Sequence, residues 1–168
     1  MTAMSHSQTL KPLPRAPIEL VLPYPLSANR YWRAITIPGR TMMAPTKEAI
    51  AFKAQVALQA RVAGIREPIA VRSVVEIAIY PQRPQDWAKR ARRDPATWDD
   101  DVRCIDADNA NKVLLDALRG VAIVDDSRRY VRKLVTEQME PDGEARTVVR
   151  ITPLVLETPQ AELLVREG

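Results

Sequence analysis

The sequence predicts an α+β domain in which a small mixed β-sheet packs against two main helices. Three observations lead there. Two segments carry a helical apolar period between a capping residue and a glycine, at 46–64 and 106–120. Four runs rich in valine and isoleucine read as strands. The two classes follow one another as strand, helix, strand, helix, strand, strand, too irregular for a wound parallel fold. A chain of 168 residues suits one domain with a core of useful size.

In chain order, residues 1–16 are polar and broken by prolines, and read as a flexible N-terminal tail. Structure is expected near Ile18, where "IELVLPYP" is a strand ended by prolines that cannot extend a ladder. "LSANRYWRAITIPGRTMMAP" reads as a loop. Thr46 caps a helix to about Ala63, with Ile50, Val56 and Leu58 among its apolar residues and Gly64 as its stop. "VRSVVEIAIY" (71–80) is a second strand. From about 81 to 103 the text is charged, proline-broken and aperiodic, an exposed and flexible insertion with one short helical turn around Trp87 to Arg93. A helix over 107–119 follows, with Gly120 beyond it, then a turn at Asp125, Asp126 and Ser127. "YVRKLVTEQM" and "ARTVVRITPL" are two strands that "EPDGE" would join as a hairpin. The domain spans 17–156, and 157–168 is a weakly patterned C-terminal tail.

Composition narrows the function. No apolar run approaches a membrane span, and the N-terminus lacks the apolar middle of a signal peptide, so the chain reads as a soluble cytoplasmic protein. One cysteine, Cys104, excludes an internal disulfide and a cysteine-built zinc site. The lone histidine, His6, falls in the predicted tail, which argues against histidine catalysis. The net charge is +4, carried mostly by arginine, which favours a phosphate-rich partner.

The helix "DADNANKVLLDAL" (106–118) carries the chemistry. Ala110, Val113, Leu114, Ala117 and Leu118 form the stripe that faces the sheet, and Asp108, Lys112 and Asp116 form a second stripe at i, i+4 and i+8. Read blandly, Asp106 is an N-cap, Asp108 complements the helix macrodipole, and the charged stripe is a set of i,i+4 ion pairs. That reading leaves Asp125 and Asp126 unexplained. Five carboxylates lie within 21 residues of an otherwise basic chain and would repel one another if they converged. A hard divalent cation removes the conflict, since Mg²⁺ is held by a few carboxylates with water and substrate phosphate completing its shell. Such an ion supports phosphodiester hydrolysis without histidine, and Lys112 is placed to meet negative charge on the scissile phosphate or leaving oxygen.

The stretch "DADNANKVLLDALRGVAIVDDSRRYV" resembles the signature of the RusA family of Holliday-junction resolvases: Asp-x-Asp-Asn, a lysine three residues on, Asp-Ala-Leu, a glycine and a final Asp-Asp. "LPYPLSANRYWR" (22–33) is similar to the family's N-terminal block, and the likeness spans roughly residues 18–152. It implies a RusA-like homodimer, a Mg²⁺-dependent endodeoxyribonuclease, with Mn²⁺ as the alternative ion, that resolves four-way DNA junctions by paired symmetric nicks. It also implies a role in recombination and repair, and phage or prophage origin is common in the family. Carried over by position, the metal ligands are Asp106, Asp108 and Asp126, with Asp125 beside them, and Lys112 is the essential lysine. Asp116 matches a family position with a structural reading, and Asn109 suits a role orienting a carboxylate. The chain departs from the pattern where an arginine-rich run precedes the first acid in the family. Here that place holds "DDDVRCI", and the basic cluster "KRARR" lies upstream in the insertion. Leu26 replaces the second proline of the N-terminal block.

A junction has two-fold symmetry, so a homodimer can set one site on each cleaved strand. Arginines on phosphates would supply most of the affinity. The DNA-binding candidates are Asn29, Arg30, Arg33, Lys112 and the cluster Lys89, Arg90, Arg92 and Arg93. Tyr31 and Trp32 are read either as wedges against bases or as core and interface residues. Two alternatives stand beside the nuclease, a non-catalytic branched-DNA-binding module and a metal-dependent nucleotide phosphohydrolase.

Overall fold

The computed structural model describes residues 12–156. Its elements are β1 (Pro12–Pro14), β2 (Ile18–Pro23), α1 (Ala28–Tyr31), β3 (Trp32–Ile37), β4 (Arg40–Pro45), α2 (Lys47–Val62), β5 (Ser73–Tyr80), α3 (Trp87–Arg93), α4 (Ala107–Leu118), β6 (Val131–Gln138) and β7 (Arg146–Leu156). The α+β class holds, with a mixed sheet and helices against one face. Structure begins upstream of Ile18, because Pro12–Pro14 pairs antiparallel with the end of β7, inside the stretch expected to be tail. The expected tail segments 1–11 and 157–168 lie outside the described residues.

β7 and β5 form the centre of the sheet. β7 pairs antiparallel with β5 on one side, while β2 and then β1 share its other edge. β6 runs parallel to β5 and closes the opposite edge. A parallel neighbour needs a crossover, which the insertion and α4 provide. The expected hairpin between the last two strands is therefore overturned, since β5 lies between them. The reason is the burial each strand demands. Alternate residues of β5 (Ser73, Val75, Ile77, Ile79) are buried, so β5 takes the centre, whereas β6 is largely exposed and suits an edge. The turn residues "EPDGE" reverse the chain without dictating what fits between its arms.

The core lies between the inner sheet face and the two longer helices. Leu20, Leu22, Val75, Ile77, Ile79, Val149 and Ile151 meet Phe52 and Val56 of α2 and the stripe Ala110, Val113, Leu114, Ala117 and Leu118 of α4. That α4 stripe is as the sequence predicts. In α2, Val56 faces the core, while Ile50 and Leu58 point outward. Thr46 caps α2 by accepting from the Ala49 N–H at 3.2 Å, and Gly64 after it takes φ +88°, a backbone state that favours glycine.

The segment 26–45, expected to be a loop, holds α1 and a two-stranded ribbon of β3 and β4. Pro38 and Gly39 make its turn, with Gly39 at φ +88°. Arginine and threonine interrupt the apolar alternation, which hides the ribbon in the sequence. The insertion does contain the short helix expected at Trp87 to Arg93. It is anchored, because Trp98 is buried and its indole N–H donates to Glu140 Oε1 at 2.9 Å, while the Arg83 N–H donates to the Gly143 carbonyl at 2.9 Å.

Candidate nuclease site

Asp106 occupies the N-cap position of α4 with φ −62° and ψ 140°, yet its side chain makes no capping hydrogen bond. The carboxylate that the bland reading assigns to capping is thus left exposed and available. Asp108, in the first turn, is exposed too, and Lys112 places its ammonium 3.8 Å from that carboxylate. Two exposed side chains at this separation gain little from each other, so both remain available to a ligand.

The charged stripe does not stay on one face. Each i,i+4 step drifts by about 40° around a helix of 3.6 residues per turn, so the third residue rotates toward the interior. Asp116 is the result. Its carboxylate is largely buried, accepts from the Tyr31 hydroxyl at 2.6 Å, and pairs with Lys53 at 2.6 Å and Arg119 at 3.1 Å. Burial works to raise its pKa, but the hydrogen bonds from Lys53 and Tyr31, with the Lys53 and Arg119 charges, outweigh it and hold the carboxyl below its ordinary range. Asp116 is a structural hub. Tyr31 is fully buried, which removes it as a base wedge, and Trp32 is half-buried with its ring edge-on to Tyr31 at 4.9 Å.

Beside Asp106 a cleft of about 660 Å³ opens, walled by Ser27 and Arg30 after β2, by Gln82, and by Arg103, Asp106 and Asn109 at the head of α4. Tyr24 braces it. Its hydroxyl oxygen accepts from the Ile105 N–H at 2.7 Å while the hydroxyl donates toward Cys104 Sγ at 3.6 Å, fixing the backbone that delivers Asp106. Burial foremost pushes the Tyr24 hydroxyl up to about 12. Gln138 at the end of β6 donates to the Ile105 carbonyl at 2.8 Å from the other side. Neither Arg103 nor Tyr24 stands out in the sequence reading. Arg103 is the one cation between the insertion cluster and the first acid, a position that offers a signal.

Asp125 and Asp126 lie elsewhere. α4 is about 18 Å long, and the chain leaving it stays at its C-terminal end, where Ala122 and Ile123 donate to the Leu118 carbonyl and Val124 donates to Ile69. From there two residues reach Asp126, close to Ser127, whose carbonyl accepts from Tyr130 and Val131 at the start of β6. Gln138, which touches Ile105, is at the other end of that strand. Asp106 and Asp108 thus mark one end of α4 and Asp125 and Asp126 the other. Among the described residues no group of three or more His, Cys, Asp or Glu side chains is placed to hold a metal ion. The expected gathering of Asp106, Asp108 and Asp126 does not form within this chain.

The basic candidates divide. Asn29 and Arg33 are exposed, and Arg30 lines the cleft while pairing with Glu48 at 2.8 Å. Within the insertion, Arg90 is held by Asp86 at 2.9 Å and Asp101 at 2.7 Å, and Arg93 by Asp94 at 2.8 Å. Lys89 and Arg92 have no carboxylate partner among the described residues.

Residues 23–152 match the family model of endodeoxyribonuclease RusA. The chain belongs to the RusA family. A comparison with curated proteins returns no match. Membership makes the chain one of a family of endodeoxyribonucleases. The RusA match begins at Pro23, next to Tyr24, and ends in β7, so it takes in the cleft, α4 and the Asp125–Asp126 turn. Among the described residues, no helix is long and apolar enough to cross a membrane.

Proposed function

We propose that the chain resolves four-way DNA junctions by paired symmetric nicks, as a homodimer that depends on Mg²⁺ or Mn²⁺. The observation that carries this is the pair of exposed carboxylates, Asp106 and Asp108, at the head of α4 beside a cleft with two arginines. Their chemistry fits a hard cation, because Asp106 is not spent on capping and both offer oxygen ligands. Bound there, the ion would activate water and offset phosphoryl charge. The chain's own residues do the rest. Arg30 and Arg103 bind strand phosphates at the cleft, Asn109 orients a neighbouring carboxylate, and the Lys112 ammonium stabilises charge on the leaving oxygen. Exposed carboxylates suit a long polymeric substrate better than a mononucleotide.

Asp126, with Asp125, completes the ligand set from the second subunit in this proposal. One chain holds these acids at the far end of α4 from Asp106, and a two-fold partner running the opposite way brings its own copy to that place.

The test is cleavage of a synthetic four-way junction with Mg²⁺ and with EDTA, beside linear duplex. Asp108→Asn is expected to abolish nicking and leave binding intact; unchanged cleavage would reject its metal role. Mixing Asp108→Asn with Asp126→Asn subunits tests the shared site. A heterodimer with ligands in trans has one intact site and nicks one strand, whereas ligands in cis leave no intact site and no activity.

A further inference from the structure

The most arginine-rich stretch of the sequence, "KRARR" at 89–93, is partly neutralised in the folded chain by Asp86, Asp94 and Asp101. A second basic stretch is not. Residues 128–133 read "RRYVRK", with four cations and no acid. Arg128, Arg129, Arg132 and Lys133 are all exposed, and among the described residues none lies within 4.0 Å of a carboxylate.

Hydrogen bonds hold their backbone in place. The Ser127 carbonyl accepts from the Tyr130 and Val131 N–H groups, which makes a turn with Arg128 and Arg129 at its tip. The Tyr130 carbonyl accepts from the Ser73 N–H at 2.7 Å, pinning the segment to the start of β5. Arg132 and Lys133 then open β6, the edge strand of the sheet. The Arg129 guanidinium lies 5.5 Å from the centre of the half-buried Tyr130 ring. Arg72, next to Ser73, is exposed at the same end of the molecule.

Four unpaired cations on one turn and strand edge, offset only in part by Asp125 and Asp126 just upstream, create a concentrated positive field with no internal use, because like charges at this spacing repel one another. A polyanion with regularly spaced charges relieves that repulsion and gains from release of its counterions. We infer that Arg128, Arg129, Arg132 and Lys133 form a phosphate-backbone grip for an arm of the DNA substrate, at the opposite end of α4 from the cleft beside Asp106 of the same chain. The inference rests on the nuclease reading for its choice of partner. It assigns the main electrostatic grip to this segment rather than to the insertion.

The experiment measures binding of a labelled four-way junction by full-length protein in EDTA across a salt series. The variant R128Q/R129Q/R132Q/K133Q is expected to bind roughly tenfold or more weakly, with the slope of log K against log salt reduced by about 3.6, near 0.9 for each phosphate left without its cation. The double variant R128Q/R129Q, confined to the turn, gives about half that change and covers any loss of β6 in the fourfold variant. K89Q/R92Q serves as the comparison and changes the slope less. An unchanged slope in both 128–133 variants overturns the inference, even if the wild type cleaves junctions. Loss of binding in these variants, together with a wild type that never cleaves in Mg²⁺, upholds the grip and removes the nuclease reading. A wild type that does not bind DNA overturns both.

Discussion

The Tyr31 hydroxyl donates a 2.6 Å hydrogen bond to the Asp116 carboxylate, joining the segment after β2 to the C-terminal half of α4. Lys53 of α2 and Arg119 complete the cluster, so one carboxylate links three helices. Tyr31→Phe should cost about 1.5–3 kcal/mol, the range for a hydrogen bond to a charged group. Urea unfolding checks this, and cleavage per folded molecule should be unchanged.

The same cluster sets an acid limit. Asp116 is held below its ordinary value of 3.8, so its contribution is fully present above that pH and fades as pH falls through the lower, folded-state value. The stability gap between wild type and Asp116→Asn should be constant near neutrality and close below about pH 3.8. A gap that widened in acid would contradict the assignment.

At the alkaline end the sign reverses. The Tyr24 hydroxyl is raised from 10.0 to about 12, so the neutral form is favoured in the fold. Its stabilisation is complete below pH 10 and is lost as pH rises toward 12. Tyrosinate absorbance should show a late-ionising hydroxyl that disappears in Tyr24→Phe.

Tyr24→Phe also tests the brace on Asp106. Removing the hydroxyl frees the Ile105 N–H beside the cleft. Loss of support behind a ligand typically costs 10–100-fold in metal affinity or activity. The Mg²⁺ concentration for half-maximal nicking should rise, with junction binding in EDTA unchanged.

Trp98 pins the insertion. Its ring is buried near Trp87, with centroids 6.3 Å apart, and its N–H reaches Glu140. Trp98→Ala should expose the arginines of α3 to trypsin while the main unfolding transition persists, because Trp98 lies outside the central core cluster. Cleavage sites elsewhere in the chain would argue for a wider role.

Local features are legible wherever a short-range rule governs them. The α4 stripe, the Thr46 cap and the glycines after both long helices follow from period and backbone sterics. The RusA signature is equally readable, since its residues are near one another in sequence. The β3–β4 ribbon and β1 escape a reading of the sequence because their pairing partners, not their own composition, make them strands.

What the sequence determined by itself was the types of β2, β5, β6, β7 and the two long helices, the core face of α4 and the family signature, all properties of neighbouring residues. Tertiary structure alone decided that β5 separates β6 from β7, that Asp116 turns inward to Tyr31, and that Asp126 lies toward the opposite end of α4 from Asp106. It also decided which arginines are neutralised and which are left to act. These outcomes depend on which distant groups compete for the same burial or the same charge, and that competition is settled only when the chain packs.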